Sequence, residues 1–123
     1  MVKLLKQYSL VALWCGVIFY LSSLQTVPTP KDTVVNFLLK KAAHMAEYAI
    51  LYLLTYRAAT KSKNKNTNLL RPFLFVVFFA ATDEFHQYFV PGRHARLYDI
   101  GFDSLGALLV LLRQRNREFS RTR

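Results

Sequence analysis

Ionisable side chains in this 123-residue chain lie inside segments that are otherwise strongly apolar. Three such segments each carry several of them, separated by three or four residues. Imidazole, carboxylate and ammonium groups at that spacing suit acid–base catalysis, metal ligation or the binding of a charged group. The candidates are Lys41, His44 and Glu47 in the first segment, Asp83, Glu84, His86 and Gln87 in the second, and Asp99 and Asp103 in the third.

Helical geometry places these residues on single faces. A helix turns by about 100° per residue, so positions three or four apart lie on the same side. His44 and Glu47 are related in this way, and so are Asp99 and Asp103. Gly106 continues the face of Asp103, where a small residue lets a neighbouring helix approach closely. In the remaining segment the polar face consists of Asp83, His86 and Gln87, with Glu84 at its border.

Three kinds of chemistry fit this cluster. Arg93 and Arg96 follow the second segment, and their forked donors suit a phosphate group, so a binding pocket is one reading. A hydrolase or transferase site is another, with His44 or His86 as base and a carboxylate to orient it. Because acids and bases nearly balance, an ion-pair network that only stabilises the helices fits equally well. The cluster shows no dedicated metal motif, so neither a metal nor a cofactor is predicted.

The surrounding composition indicates a membrane protein. Hydrophobic residues make up 53% of the chain, yet its net charge is +10, and the charges are sorted into short clusters between apolar stretches. The stretch from Tyr8 to Leu24 is the clearest span. A signal peptide is the rival interpretation, but the stretch is long and no A-x-A-like cleavage site follows it. Cys15 has no second cysteine with which to form an internal disulfide.

We predict an all-α fold in which one domain, residues 1–123, forms an integral membrane four-helix bundle. Pro28 and Pro30 interrupt the first connection, a basic loop forms the second, and Pro91-Gly92 fits a tight turn in the third. One anchor with a soluble helical domain is the alternative. Apolar residues all round the later helices count against it. The predicted spans are residues 8–24, 33–57, 70–90 and 97–113.

The basic residues predict the orientation. Most of the 17 lysines and arginines lie at the N-terminus, near residues 57–71 and in the C-terminal tail. Because positive charge favours the cytoplasmic side, both termini are expected there and the polar cluster is expected in the outer half of the membrane. No folded basic face is predicted, so nucleic acid is not an expected partner.

Four motifs, in this order, resemble the VanZ-like family over nearly the whole chain. The block from Asp83 to Arg93 is the most specific of them. At position 103 the family commonly has asparagine, so the resemblance leaves the role of Asp103 open. The motifs are Ile18-Phe-Tyr-Leu-Ser-Ser-Leu-Gln, Lys41-x-x-His44-x-x-Glu47-Tyr48, Thr82-Asp-Glu-Phe-His-Gln-Tyr-Phe-Val-Pro-Gly-Arg93 and Asp99-Ile-x-x-Asp103-Ser-x-Gly106.

The resemblance implies a multi-pass protein of the bacterial cell membrane, in a family named for low-level resistance to the glycopeptide teicoplanin. The expected partners are membrane lipids and a lipid-linked precursor of the cell wall. An enzyme acting on a lipid phosphate, or a partner-binding protein with a structural cluster, are the other expectations. Through the matching motifs the resemblance implies site positions at Lys41, His44, Glu47, Asp83, Glu84, Gln87, Arg93 and Asp99.

Overall fold

A computed structural model describes residues 1–24, 34–60 and 68–123. In these ranges the chain is all-helical, as predicted, and forms no β-strand. The helices are α1 (Val2–Ser23), α2 (Val34–Thr60), α3 (Leu70–Gln87) and α4 (Leu97–Arg121). The proline-rich break predicted around Pro28 and Pro30 lies outside the described residues, as does most of the basic loop that follows Thr60.

The described helices contain most of each predicted span, and α4 continues well beyond the predicted end at residue 113. It extends to Arg121, through a segment of Arg, Gln, Asn and Glu residues. Arg, Gln and Glu have high helix propensity. The hydroxyl of Tyr56 on α2 also donates a hydrogen bond to Glu118 Oε1 at 2.6 Å. The C-terminal basic segment therefore takes part in the contact between α4 and α2 and is not a separate tail.

Within the described ranges, α1 alone is both long and apolar enough to cross a membrane by itself. Its most apolar stretch has a mean hydropathy of 1.5, and only 11% of that stretch is buried in the protein. The other helices are interrupted by the ionisable residues identified above, which lower their hydropathy.

The core forms around α2, which packs against each of the other three helices and most extensively against α4. Tyr48, Leu51 and Tyr52 are fully buried on α2. Val76 and Ala80 of α3 pack against them, together with Ala107 of α4. Large side chains on the central helix thus meet small ones on its neighbours, which allows close packing between the helices.

Gly106 marks the closest approach of α4 to α2. A Cβ atom added at this glycine would lie 2.1 Å from the carbonyl oxygen of Met45 and 3.0 Å from its Cα atom. Any side chain here would overlap the backbone of α2. The predicted role of this glycine in helix approach is confirmed.

The predicted turn between α3 and α4 is also present. Gly92 has a φ of 79°, a conformation that L-residues rarely adopt. The Arg93 N–H donates to the carbonyl of Val90 at 3.2 Å, which closes a four-residue turn around Pro91 and Gly92. This is the arrangement in which proline takes the second position and glycine the third.

The bundle places many apolar side chains outside and several polar ones inside. Leu13, Phe78 and Leu109 are each more than half exposed, on three different helices. In contrast, Asp83 and Asp103 are 2% and 4% exposed. A water-soluble helical bundle normally shows the opposite distribution, because burying apolar surface drives its folding.

Candidate functional site

The predicted polar residues meet at one end of the bundle, where α1 and α3 end and α4 begins. One ion pair and one close imidazole–carboxylate contact join α2 to α4 there. The ammonium of Lys41 contacts Asp99 Oδ1, and the Nδ1 atom of His44 lies 3.6 Å from Asp103 Oδ1. Both contacts link a residue of the first polar segment, on α2, to a residue of the third, on α4. The turn of α4 that carries the two aspartates is thereby fixed against α2.

Lys41 is further surrounded by aromatic rings. Its Nζ atom lies 5.4 Å from the ring centre of Tyr98, 5.5 Å from that of Phe102 and 5.6 Å from that of Phe37. A cation over an aromatic face is attracted by the negative potential of the ring. The charge of Lys41 is thus held by a carboxylate and by three rings while it remains largely withdrawn from solvent.

Tyr48 connects α2 to α3 in the buried part of the cluster. Its hydroxyl donates a hydrogen bond to Asp83 Oδ2 at 3.0 Å, and Gln87 Nε2 contacts the same oxygen at 3.4 Å. Tyr48 belongs to the motif that carries His44 and Glu47, but neither its charge nor its polarity singles it out in the sequence. Its position four residues after His44, on the same face, is the signal that indicates it.

Three hydrogen bonds attach the C-terminal part of α1 to its neighbours at this end of the bundle. Trp14 Nε1 donates to the backbone carbonyl of Glu47 at 2.9 Å. Arg93 donates through Nε to the carbonyl of Leu24 at 3.1 Å and through Nη2 to that of Leu21 at 3.2 Å. The two carbonyls that Arg93 contacts lie at the C-terminal end of α1. Carbonyl groups at a helix end lack partners within the helix, and a guanidinium satisfies them well. This capping role of Arg93 has no signal in the sequence.

His86 faces a different side of α3 from its acidic neighbours. Its ring stacks on Phe19 of α1, with ring centres 4.0 Å apart and planes inclined by 22°. Glu84, placed at the border of the polar face by the sequence, is buried instead, with 7% exposure. The polar residues of α3 therefore do not share the single face that the sequence predicts. The reason is that α3 contacts both α1 and α4 and presents polar side chains to each of them.

A cavity of about 250 Å³ lies beside α1 and is here called the α1-side cavity. Its polar wall comes from α1, α2, α3 and the turn that carries Arg93. The apolar part of the wall is contributed mainly by α1. The cavity is lined by Ile18, Leu21, Ser22, Lys40, Ala43, His44, Glu47, Asp83 and Arg93.

A second cavity, of about 380 Å³, lies beside α4 and is called the α4-side cavity. Lys40, His44 and Arg93 line both cavities. The wall of the α4-side cavity combines several cationic groups with three carboxylates. The remaining lining residues are Phe37, Lys41, Glu84, Gln87, Gly92, His94, Arg96, Tyr98, Asp99 and Asp103.

Several buried polar atoms around these cavities have no hydrogen-bond partner. Asp83 Oδ1 and Ser22 Oγ lie in the wall of the α1-side cavity, and Glu84 Oε2 belongs to a residue of the α4-side cavity. A buried carboxylate oxygen without a donor is costly, by about 1–3 kcal/mol for a neutral group and more for a charged one. Such atoms normally indicate a water molecule or a ligand.

Of the predicted site residues, nine line one or both cavities, and His86 lines neither. Sequence reasoning left Ser22 and Tyr48 out of the site. Among the described residues no group of three or more His, Cys, Asp or Glu side chains is arranged to hold a metal ion. The residues that line the two cavities are Lys41, His44, Glu47, Asp83, Glu84, Gln87, Arg93, Asp99 and Asp103.

Fold and site together define a class: a small helical bundle with an apolar surface and a polar, cavity-forming cluster at one end. The family model described as VanZ/LLP1 matches residues 7–114, which include all four motifs. The chain therefore belongs to the VanZ/LLP1 family, and the resemblance noted in the sequence is confirmed. No curated protein and no solved structure matches the chain.

Proposed function

We propose that this protein spans the bacterial cell membrane four times, with both termini in the cytoplasm and both cavities open towards the outer side. It binds a phosphate-bearing, lipid-linked component of the cell envelope there. The observation that carries this proposal is the α4-side cavity, in which Arg93, Arg96 and Lys41 line one space. The family is named for low-level teicoplanin resistance, and on that ground the proposal includes that such binding lowers the susceptibility of the cell to glycopeptides.

The membrane placement is supported by the inverted surface of the bundle. Leucine and phenylalanine side chains cover the outside of α1, α3 and α4, while carboxylates are buried between helices. In hydrocarbon, charged groups must pair with one another or line a polar cavity, and both arrangements occur here. The 22-residue α1 is about 33 Å long, which matches the thickness of a bilayer core.

The binding chemistry is supported by the different contacts of the three cationic side chains Lys41, Arg93 and Arg96. Lys41 is paired with Asp99, and two donors of Arg93 are used by α1. Arg96 is exposed and contacts the hydroxyl of Tyr98. A guanidinium carries five N–H donors, so both arginines retain donors for a phosphate in the same cavity. The three carboxylates of the wall would repel an anion elsewhere in it, which confines the phosphate to the arginine side.

Cysteine labelling tests the orientation. In a Cys15→Ser background, His94→Cys and Ser120→Cys place one thiol at each end of the bundle. A membrane-impermeant maleimide is expected to label His94→Cys in intact cells, and Ser120→Cys only after permeabilisation. The reason is that the arginine-rich end of α4 favours the cytoplasm. Labelling of Ser120→Cys in intact cells would contradict the proposed orientation.

Lipid mass spectrometry of the purified protein tests the binding. Arg96→Ala removes a phosphate donor without touching α1, and is expected to reduce co-purified phosphate-bearing lipid by about tenfold, equivalent to the loss of one charge-assisted hydrogen bond. Arg71→Ala is the matched control, since Arg71 is exposed at the opposite end of the bundle. Equal lipid in the wild type and in both variants would refute a phosphate site at Arg96.

A membrane enzyme acting on a lipid phosphate is the second candidate. It is favoured by His44, which lies in the wall of both cavities with Nδ1 at 3.6 Å from Asp103 and 4.0 Å from Glu47. A carboxylate that orients an imidazole is a common arrangement for a general base. The same mass spectra separate the two functions, because catalysis produces a dephosphorylated or transferred lipid, whereas binding leaves the lipid intact.

A further inference from the structure

The α1-side cavity contains acceptors that the protein itself does not satisfy. Asp83 is 2% exposed, and one of its two carboxylate oxygens, Oδ2, accepts from Tyr48 and Gln87. The other oxygen, Oδ1, has no partner. Ser22, which is 3% exposed, lies in the same wall, and its hydroxyl is likewise unpartnered.

The unpartnered acceptors of this wall call for a group that donates hydrogen bonds. The wall also contains Lys40 and Arg93, so the carboxylate of Asp83, whose Oδ1 has no donor, is the group that favours a donor with positive charge. Glu47 adds a second carboxylate to that of Asp83. The volume of about 250 Å³ exceeds the ~30 Å³ occupied by one water molecule, so a single water does not fill it. A primary ammonium has three N–H donors and no acceptor, which matches two carboxylates and a hydroxyl.

The phosphate side of the proposed site is directly adjacent, because Arg93 belongs to both cavities. We infer that the ligand is a phosphate compound with a primary amine, its phosphate held beside Arg93 and Arg96 and its ammonium beside Asp83 and Ser22. This inference rests on the proposed phosphate site and specifies the substrate class. An aminoalkyl phosphate headgroup has this pairing of charges, whether it is part of a lipid or free in solution.

Binding measurements on the full-length protein in detergent test the inference with four probes. These are short-chain phosphatidylethanolamine, its N-trimethylated counterpart phosphatidylcholine, the anionic phosphatidylglycerol, and soluble phosphoethanolamine. The ethanolamine lipid is expected to bind about tenfold more tightly than the choline lipid, since trimethylation removes every N–H donor. Equal affinities for these two lipids would overturn the inference. Binding of phosphoethanolamine identifies a headgroup site, and its failure to bind while the lipid does identifies a lipid site.

Two substitutions locate the amine. Asp83→Asn keeps an oxygen acceptor for Tyr48 and removes the negative charge, so the preference for ethanolamine over choline should fall at least about fivefold while phosphatidylglycerol binding is kept. Ser22→Ala removes one acceptor with little change of volume and should weaken the same preference by a smaller factor, which provides a second test if Asp83→Asn folds poorly. A preference unchanged in both variants would refute the assignment.

The phosphate site and the amine site fail separately in this design. If Arg96→Ala leaves phosphatidylglycerol binding unchanged, the proposed phosphate site is wrong, and the inference built on it is also wrong. If Arg96→Ala weakens binding of every phospholipid but ethanolamine and choline lipids remain equal, only the amine assignment is wrong. Tyr48→Phe is the control for folding, because it removes the hydrogen bond to Oδ2 without altering the unpartnered oxygen.

Discussion

Gly106→Ala is expected to destabilise the protein by about 3 kcal/mol, at the upper end of the usual cost of overpacking a core. The new Cβ would lie 2.1 Å from a backbone carbonyl oxygen of α2, which cannot rotate away as a side chain can. The two helices must therefore separate, and their separation also lengthens the contacts of Asp99 and Asp103 with α2. Thermal unfolding of the purified protein in detergent should show a midpoint lowered by about 10 °C.

Gly101→Ala provides the matched control on the same helix. No atom lies within 4 Å of a Cβ built at Gly101. Alanine is favoured over glycine in an exposed helix by about 0.5–1 kcal/mol, so this variant should unfold at the same temperature or slightly above it. If the two alanine variants unfold at the same temperature, the close approach of α4 to α2 at Met45 is wrong.

Lys41→Met should destabilise the protein by about 3 kcal/mol for a different reason. The substitution retains most of the side-chain volume but leaves the carboxylate of Asp99 unpaired, in a place where each partner's side chain is less than one-fifth exposed. Removal of one member of a buried ion pair is strongly destabilising because the other charge remains. The measurement is again the unfolding midpoint in detergent, with Lys3→Met as the control at an exposed position.

The double variant Lys41→Met/Asp99→Leu shows whether the unpaired charge is the cause. Replacing both partners of a buried ion pair by apolar residues is often nearly neutral, so most of the lost stability should return. A double-mutant cycle then gives the coupling between the two residues. Additive losses in the two single variants would show that Lys41 and Asp99 are not paired in the folded protein.

The helical segments could be predicted because the signals for them are local. Uncharged runs and basic clusters indicate where each helix lies, although α1 begins at Val2, six residues before the predicted span, and Pro91-Gly92 predicts a turn by backbone geometry alone. Helical spacing also places His44 near Glu47 and Asp99 near Asp103. The C-terminal end of α4 escaped prediction because Arg, Gln and Glu fit a solvated tail and a helix equally well, and contact with Tyr56 decides between them.

The partners of the site residues required the tertiary structure. The sequence places Asp83, Glu84 and His86 within about one turn of a helix, but the rotation of α3 decides which of them faces the cavities. Asp83 and Glu84 turn inwards, whereas His86 packs on Phe19. The contacts of Arg93 also required the tertiary structure. The sequence predicts that Arg93 binds a ligand, and the structure shows that it also caps the end of α1. Spacing along a chain does not encode how far each helix is rotated or shifted against its neighbours.

The sequence by itself determined an all-helical chain of the VanZ/LLP1 family with its ionisable groups gathered on the faces of three segments. This was possible because charge, apolar periodicity and turn geometry act over a few residues. Only the tertiary structure decided that the groups form two cavities with shared lining residues, that Tyr48 donates to one oxygen of Asp83, and that the other oxygen has no partner. Those features depend on how the helices are rotated and spaced against one another, as at Gly106, where the backbones of α4 and α2 meet.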